Sequence, residues 1–264
     1  MGDKKIAIIG GGNLGQAIMK GLLAKKVYTP KNITITKRNT SELSEFKKLG
    51  VQVTQDNAAA VSNSELIILA LKPYKVLSVL EEILPQLEAN KQLIVSLASG
   101  ISISQLNDTI KNKVPVYRAM PNTASMVGES LTCISPKSNV INPDIETCFQ
   151  SIGETLYIEE ELMDAATVLG ACGIAFALRF IRSMVQGGIQ IGFDSKAASF
   201  IANQTVKGAA SLLIDGKNHP EFEIDKVTTP KGCTISGLNE MEHNGFSSAL
   251  IKGIVKSHSD IRSN

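Results

Sequence analysis

The sequence carries little that would direct the chain to a nucleic acid, a membrane or an oxidising compartment. No lysine or arginine run is longer than a pair, aromatic residues make up 5% of the chain, and the formal net charge is +2. Nucleic-acid surfaces need clustered cations interleaved with stacking rings, so the expected partner is a small molecule. The longest uncharged apolar stretch, residues 165–178, falls short of the ~18 residues that span a bilayer. The first five residues carry charge and lead straight into a strand, without the apolar segment and small-residue cleavage site of a secretory signal. These features predict a cytoplasmic protein with neither a nucleic acid nor a membrane as partner. Cys133, Cys148, Cys172 and Cys233 form no C-x-x-C pair and lie near no histidines at zinc-ligand spacing. Free thiols in a reducing compartment, and no metal site, are the expectation.

What the chain does have is a glycine-rich turn near its start. In IAIIGGGNLG, residues 6–15, four strand-forming residues run into Gly10-x-Gly12-x-x-Gly15, after which residues 16–25 read as a helix. The first glycine permits a tight turn, the second lets backbone approach a pyrophosphate, and the third lets the helix pack closely on the strand. Unpaired N–H groups at the helix start would face the phosphates. Glycine turns also serve as ordinary strand-to-helix connections; the buried strand before this one and the helix after it favour a dinucleotide site.

The next strand, residues 32–37, ends in Thr36-Lys37-Arg38. An NAD site would place a carboxylate there, roughly 20 residues past the glycines, to hold the ribose 2'-hydroxyl. A hydroxyl and two cations instead suit the 2'-phosphate of NADP, and a charge-assisted bond of about 1.5 to 3 kcal/mol decides between the two cofactors by tenfold or more. The competing reading is two solvated cations on a loop. Further on, a short helix over 41–49, a short strand over 51–53 and a helical turn over 57–61 precede the apolar run 65–71, which suits a parallel strand buried on both faces and stops at Pro73. A helix over 76–84 and strands over 92–97 and 114–117 continue the cadence of a doubly wound sheet, whose ligand lies across the strand C-termini. The last of these strands empties into Arg118-Ala119-Met120-Pro121-Asn122-Thr123. Such a loop fits a flat ring, with Asn122 offering donor and acceptor, or equally a plain structural turn. Strands over 131–134 and 155–158 flank a helix over 143–151.

From residue 159 strand-like runs largely disappear. Helices are expected over 161–193, 195–214 and 235–262, with a turn over 216–220 and a break near Gly245. The sequence therefore predicts an α/β Rossmann-type doubly wound domain over residues 1–158 and an all-α domain over 159–264. The apolar, glycine-bearing helices carry more greasy surface than a lone bundle of about 100 residues usually hides, which predicts dimerisation through them. A monomer with a well-filled bundle is the alternative.

Residues 225–242, DKVTTPKGCTISGLNEME, resemble the signature of pyrroline-5-carboxylate reductases, which reads close to V-T/S-S-P-G-G-T-T before a small-residue helix. IGGGNLG at 9–15, LALKP at 69–73, VSLASG at 95–100, RAMPNT at 118–123 and His219-Pro220 follow in the family's order and spacing, so the resemblance covers essentially the whole chain. It implies reduction of the cyclic imine 1-pyrroline-5-carboxylate to L-proline, the last step of proline synthesis, with NADPH as donor and NADH as a weaker one. Carried over, Ile9, Gly10, Gly11, Gly12, Asn13 and Leu14, closed by Gly15, would bind the pyrophosphate. Thr36, Lys37 and Arg38 would take the adenosine ribose end and Asn57 the adenosine side. Ala70, Leu71, Lys72 and Pro73, with Leu97, Ala98 and Ser99, would line the nicotinamide ribose; Met120 and Asn122 join the cofactor residues on the flat-ring reading of their loop.

The family threonine whose hydroxyl sits near the imine nitrogen corresponds to Thr234. Thr229, Lys231, Gly232 and Cys233 would surround the substrate and grip its carboxylate, a role suited to a helix N-terminus. The resemblance also implies interlocking helical domains and a site completed across a homodimer, alone or within a larger assembly of dimers. Hydride addition to C5 requires two aligned rings and a polarised imine. A threonine hydroxyl is too weak an acid to give up its proton without relay from water, and an iminium protonated in solution needs no enzymic acid.

The chain departs from the family pattern in places. Gly170-Ala171-Cys172-Gly173-Ile174-Ala175-Phe176 replaces Ser-Gly-Ser-Gly-Pro-Ala-Tyr, and Arg182-Ser183-Met184-Val185-Gln186 loses both carboxylates of Glu-Ala-Leu/Met-x-Asp. Lys231 stands where the family has the first glycine of Pro-Gly-Gly; at a positive φ it costs about 1 to 2 kcal/mol, while its ammonium would strengthen a carboxylate site. Cys233 replaces a small residue and reads as a space-filler, since imine reduction needs no covalent intermediate. Two alternatives stand beside the leading reading: reduction of a related cyclic imine or imino acid, and a non-catalytic NADP-binding regulatory module.

Overall fold

The computed structural model describes residues 4–136 and 141–263. The outermost residues of the two expected domains, and the first three residues of the leader reading, lie outside that range. Eight strands form one sheet in the order β3-β2-β1-β4-β5-β6-β7-β8. They are β1 Ile6–Ile9, β2 Ile33–Thr36, β3 Gln52–Thr54, β4 Leu66–Leu69, β5 Leu93–Ser96, β6 Val116–Met120, β7 Ser130–Pro136 and β8 Gly153–Tyr157. The first six strands are parallel, in the order 3-2-1-4-5-6 of dinucleotide-binding folds. Helices α1 Asn13–Ala24, α2 Ser44–Lys48, α3 Asn57–Ser62, α4 Pro73–Ile83, α5 Ile103–Thr109 and α6 Pro143–Gln150 connect them.

Alternate residues of each buried strand feed two cores, one on each face. Ile8, Ile35, Ile68 and Val95 pack with Met19, Leu22 and Phe149. On the other face Ile9, Ile67 and Ile94 pack with Val76, Leu80 and Leu106. With both faces covered the strands read as continuous apolar runs, which is why the sequence reveals them. β7 departs from the expected parallel cadence and pairs antiparallel with β6. The connection between them holds only a 3-10 helix, Thr123–Val127, closed by left-handed Gly128. It is too short for the crossover that a parallel strand needs. α6 supplies such a crossover, and β8 returns parallel to β7.

The chain divides into two compact units, residues 1–172 with 261–264, and residues 173–260. Within the first, a 3-10 turn (Glu160–Leu162), α7 (Met163–Ala166) and a π-helical stretch (Thr167–Cys172) follow the sheet. α8 Gly173–Gln190, α9 Ser195–Gly216, α10 Pro220–Val227, α11 Cys233–His243 and α12 Phe246–Ser263 complete the chain. α5 and α10 fall where the sequence reading placed no helix. The break at Gly245 is present, with φ +75°.

The helical stretch Glu160–Gln190 runs for 31 residues, with a mean hydropathy of 1.7 in its most apolar window. By length and composition it is sufficient to cross a bilayer, although the uncharged run inside it is shorter. Of that window, 11% is buried within the chain.

Candidate active site

The glycine turn is shaped by backbone contacts that admit no side chain. Gly10 has φ +109°, and a Cβ there would stand 2.4 Å from the Ala70 carbonyl oxygen. A Cβ on Gly15 would meet the Gly10 carbonyl oxygen at 2.1 Å, so α1 starts as close to β1 as the backbone allows. Gly10 N donates to Thr36 Oγ1 at 3.2 Å and Gly11 N to the Thr36 carbonyl at 2.7 Å, pinning the turn to the end of β2. Gly12 differs. It is the N-cap of α1, no side chain caps the helix, no acid lies in its first turn, and a Cβ on it would meet nothing within 4 Å. Asn13 and Leu14 follow as the first helical residues. This is an open, uncapped helix start, the shape and polarity that a pyrophosphate fills.

Around it the strand ends supply the remaining expected residues. Thr36 is 3% exposed, and its hydroxyl oxygen serves the turn. Lys37 Nζ pairs with Glu42, whose carboxyl is held below the usual range by that bond. Arg38 is exposed, and its side chain has no partner among the described residues. Asn57 opens α3 and donates to both carboxylate oxygens of Glu82 at 3.3 Å. Ala70 N donates to the Ile9 carbonyl at 2.9 Å, and Leu71 follows it half-buried. Exposed Lys72 then caps α4, whose first residue is Pro73; this start too lacks a side-chain cap. After β5, Leu97 and Ala98 are buried and Ser99 half-buried.

Met120 and Asn122 are buried at the end of β6. Both ends of the Asn122 amide bind protein backbone. Oδ1 accepts from Ala124 N at 2.9 Å, and Nδ2 donates to the Gly170 carbonyl at 3.1 Å inside the π-helical stretch. Wide π turns free carbonyls from the usual ladder, so the structural role that the sequence left open for this loop is filled. Each amide atom keeps one further hydrogen-bonding position, a second hydrogen on Nδ2 and a second lone pair on Oδ1.

Within the helical unit, residues 229–232 form a turn closed by Gly232 N donating to the Thr229 carbonyl at 2.9 Å. Lys231 has φ +61°, the strained condition named for it above. Gly232 is the N-cap of α11, again without a side-chain cap, and a Cβ on it would stand 2.5 Å from Thr229 Oγ1. Cys233, a free and exposed thiol, and Thr234, also exposed, are the first two helical residues. The turn thus brings Thr229, Lys231, Gly232, Cys233 and Thr234 to one uncapped helix start. Among the described residues no group of three or more His, Cys, Asp or Glu is placed to hold a metal ion.

Comparison with known proteins places these features in a family. The family described as pyrroline-5-carboxylate reductase dimerisation matches residues 160–263, and the one described as NADP oxidoreductase, coenzyme F420-dependent, matches residues 5–100. Pyrroline-5-carboxylate reductase 2 of Dictyostelium discoideum is 41% identical over 97% of this chain and 91% of its own length. The chain belongs to the pyrroline-5-carboxylate reductase family. Pyrroline-5-carboxylate reductase 1 of the same organism is 44% identical over 97% of this chain, which spans 49% of that relative's length. The crystal structure of the Plasmodium falciparum pyrroline carboxylate reductase with NADP bound superposes with a TM-score of 0.87 at 25% identity, covering 100% of this chain and 98% of that one.

Against the family pattern, one residue escaped the sequence reading of site residues. Arg118, the cation in the otherwise apolar strand VYRAM, is buried and bonds through Nη1 to Glu160 Oε1 at 3.1 Å. A lone charge in a buried strand is itself a signal, because it demands a partner. The partner, 42 residues away, carries no local pattern.

Proposed function

We propose that this protein reduces 1-pyrroline-5-carboxylate to L-proline with NADPH, accepting NADH more weakly, as a cytoplasmic homodimer or an assembly of dimers. The observation that carries this reading is a pair of helix starts, one in each unit, that have glycine as N-cap and no side-chain cap: Gly12 before α1 and Gly232 before α11. The first is open and free of carboxylates, which fits a pyrophosphate. The second presents N–H groups and a hydroxyl, which fit a carboxylate and an imine nitrogen. We place the division between the cofactor domain and the helical domain at 158/159, supported by the dimerisation match beginning at residue 160.

In this reading Gly12, Asn13 and Leu14 hold the pyrophosphate, and Arg38, with Lys37 behind it, faces the adenosine ribose end. Ala70 to Pro73 and Leu97 to Ser99 border the nicotinamide ribose. Bound NADPH supplies the hydride. The N–H groups of Gly232, Cys233 and Thr234 fix the substrate carboxylate, helped by the Lys231 ammonium. Thr234 Oγ donates to the nitrogen of the neutral imine, whose proton then comes from water, or accepts from the N–H of an iminium protonated in solution; either bond holds the C=N group in place.

The apolar face of Glu160–Gln190 meets a second copy of the chain rather than a bilayer, which accords with the dimerisation match over the same residues. Free cysteines, one of them exposed, suit a reducing compartment.

The test is purified protein mixed with 1-pyrroline-5-carboxylate and NADPH, beside NADH and the six-membered-ring imine, with L-proline identified as product. Faster NADPH consumption with the five-membered ring is expected; NADPH binding without imine reduction would overturn the reading in favour of a binding role. Thr234→Ala should lower turnover about tenfold or more while NADPH affinity stays nearly intact. An unchanged rate would remove Thr234 from the mechanism.

A further inference from the structure

Arg118 sits in the middle of β6, in register with Ser96 of β5 and Ser135 of β7, and is 5% exposed. Glu160 Oε1 accepts from its Nη1 and from Ile103 N at the start of α5, the latter at 2.6 Å. The other two guanidinium nitrogens, Nε and Nη2, are buried with no acceptor among the described residues. Buried donors without acceptors are rare, and a guanidinium offers five N–H groups in a fixed fork, so this side chain has donors to spare for a ligand.

The ligand can be read from what surrounds the fork. Arg118 borders an open cleft of about 810 Å³ that is also lined by Pro73, Ser99, Gly100 and Asp164. Pro73 and Ser99 are the residues placed above at the nicotinamide end of the cofactor. Glu160 already balances the charge of Arg118, and Asp164 adds a further negative charge, so the cleft favours a neutral acceptor over a second anion. Asp164, whose side chain has no partner among the described residues, offers an acceptor of its own. A guanidinium with spare donors and a carboxylate acceptor lining one cleft match a primary carboxamide, which presents a carbonyl oxygen and an NH2 group.

We infer that Arg118 and Asp164 hold the carboxamide of the nicotinamide ring, Arg118 donating to its oxygen and Asp164 accepting from its nitrogen. This orients the ring against the substrate. The inference rests on the cofactor reading above. It requires a rotamer adjustment that turns Nη2 into the cleft, a common change on ligand binding.

The test is titration calorimetry of the full chain and of its Arg118→Lys variant, with NADP+ and with 2'-phospho-ADP-ribose, which lacks the nicotinamide. Lysine keeps the ion pair with Glu160 and removes the fork. The variant should bind NADP+ about tenfold more weakly and 2'-phospho-ADP-ribose as the native chain does, since only the charge-assisted bond to the ring is lost. Asp164→Ala should give the same split. Equal loss for both ligands would mark Arg118 as purely structural, and no loss would place it outside the site; either overturns the inference. Failure of the native chain to bind either ligand would overturn the cofactor reading itself. Should Arg118→Lys not fold by circular dichroism, the native chain decides. Weaker binding of the thionicotinamide analogue of NADP+, whose sulfur is a poor acceptor, supports the inference, and equal binding overturns it.

Discussion

In the sheet-based unit Ile6, Ile8, Ile9, Ile67 and Ile68 have no exposed surface, whereas in residues 173–260 the buried cluster consists of Val185, Ala198 and Ala202. Phe200, Ile191 and Ile214 of that second unit stand 72, 79 and 73% exposed. The first unit closes two cores with its own residues. The second leaves large apolar side chains uncovered on several helices, far more than a soluble surface tolerates. The difference teaches that the first region closes its cores within its own chain, whereas the second leaves apolar surface open over residues that match the dimerisation family; in the function proposed above, a second copy covers it.

The contrast breaks most sharply if Phe200→Asp leaves the assembly intact. Each protomer should lose about 2 kcal/mol of apolar burial, hence about a thousandfold in dimer dissociation constant by sedimentation, with the sheet unit still folded. Ile8→Ala should do the reverse, destabilising the sheet unit by about 3 kcal/mol in denaturant titration through the cavity it leaves. A smaller effect sharpens the picture at the substrate turn. Lys231→Gly should relieve the left-handed strain and stabilise the helical unit by about 1 kcal/mol, while weakening substrate carboxylate binding if the ammonium contributes to it.

The smallest effect concerns the cofactor end. Glu42→Gln should raise NADPH affinity about threefold by freeing Lys37, a gain that shrinks with salt. The same pair sets a pH dependence. Because Lys37 lowers the carboxyl pKa of Glu42 in the folded chain, the pair's stabilisation is present above the unfolded carboxylate pKa and is lost as pH falls through the folded one. Lys37 is therefore released toward acid pH, which urea titrations of the native and Glu42→Gln chains at several pH values would register as a converging difference.

Much of this was legible in the sequence because burial writes simple patterns. β1, β4 and β5 are apolar on both faces, so their strands stand out, and the glycine spacing reports backbone contacts that exclude a Cβ. Direction carries no such pattern, and the reversal of β7 followed only from a connection too short for a crossover. α5 was missed because its evidence is local: Ser102 and Gln105 form a reciprocal cap around a short segment with few apolar residues. α10 is charged and exposed, so its periodicity is faint despite Pro220 at its start. At the site, residue types indicated Thr36 and Asn122. That the Thr36 hydroxyl serves Gly10 and the Asn122 amide nitrogen serves Gly170 depends on contacts distant in sequence.

The most direct test mixes two damaged chains. Gly12→Asp adds a side chain into open space at a position where aspartate suits a helix N-cap, so it folds while its carboxylate repels the pyrophosphate. Thr234→Ala damages the substrate turn. If each active site combines the glycine turn of one protomer with the α11 start of its partner, subunit exchange creates heterodimers with one site doubly damaged and one intact. Imine reduction should then rise to about a quarter of the native rate, since half the dimers are mixed and each carries one working site of two. No rise above the average of the two variants alone would contradict a site shared between chains, and with it the division of labour between the two units.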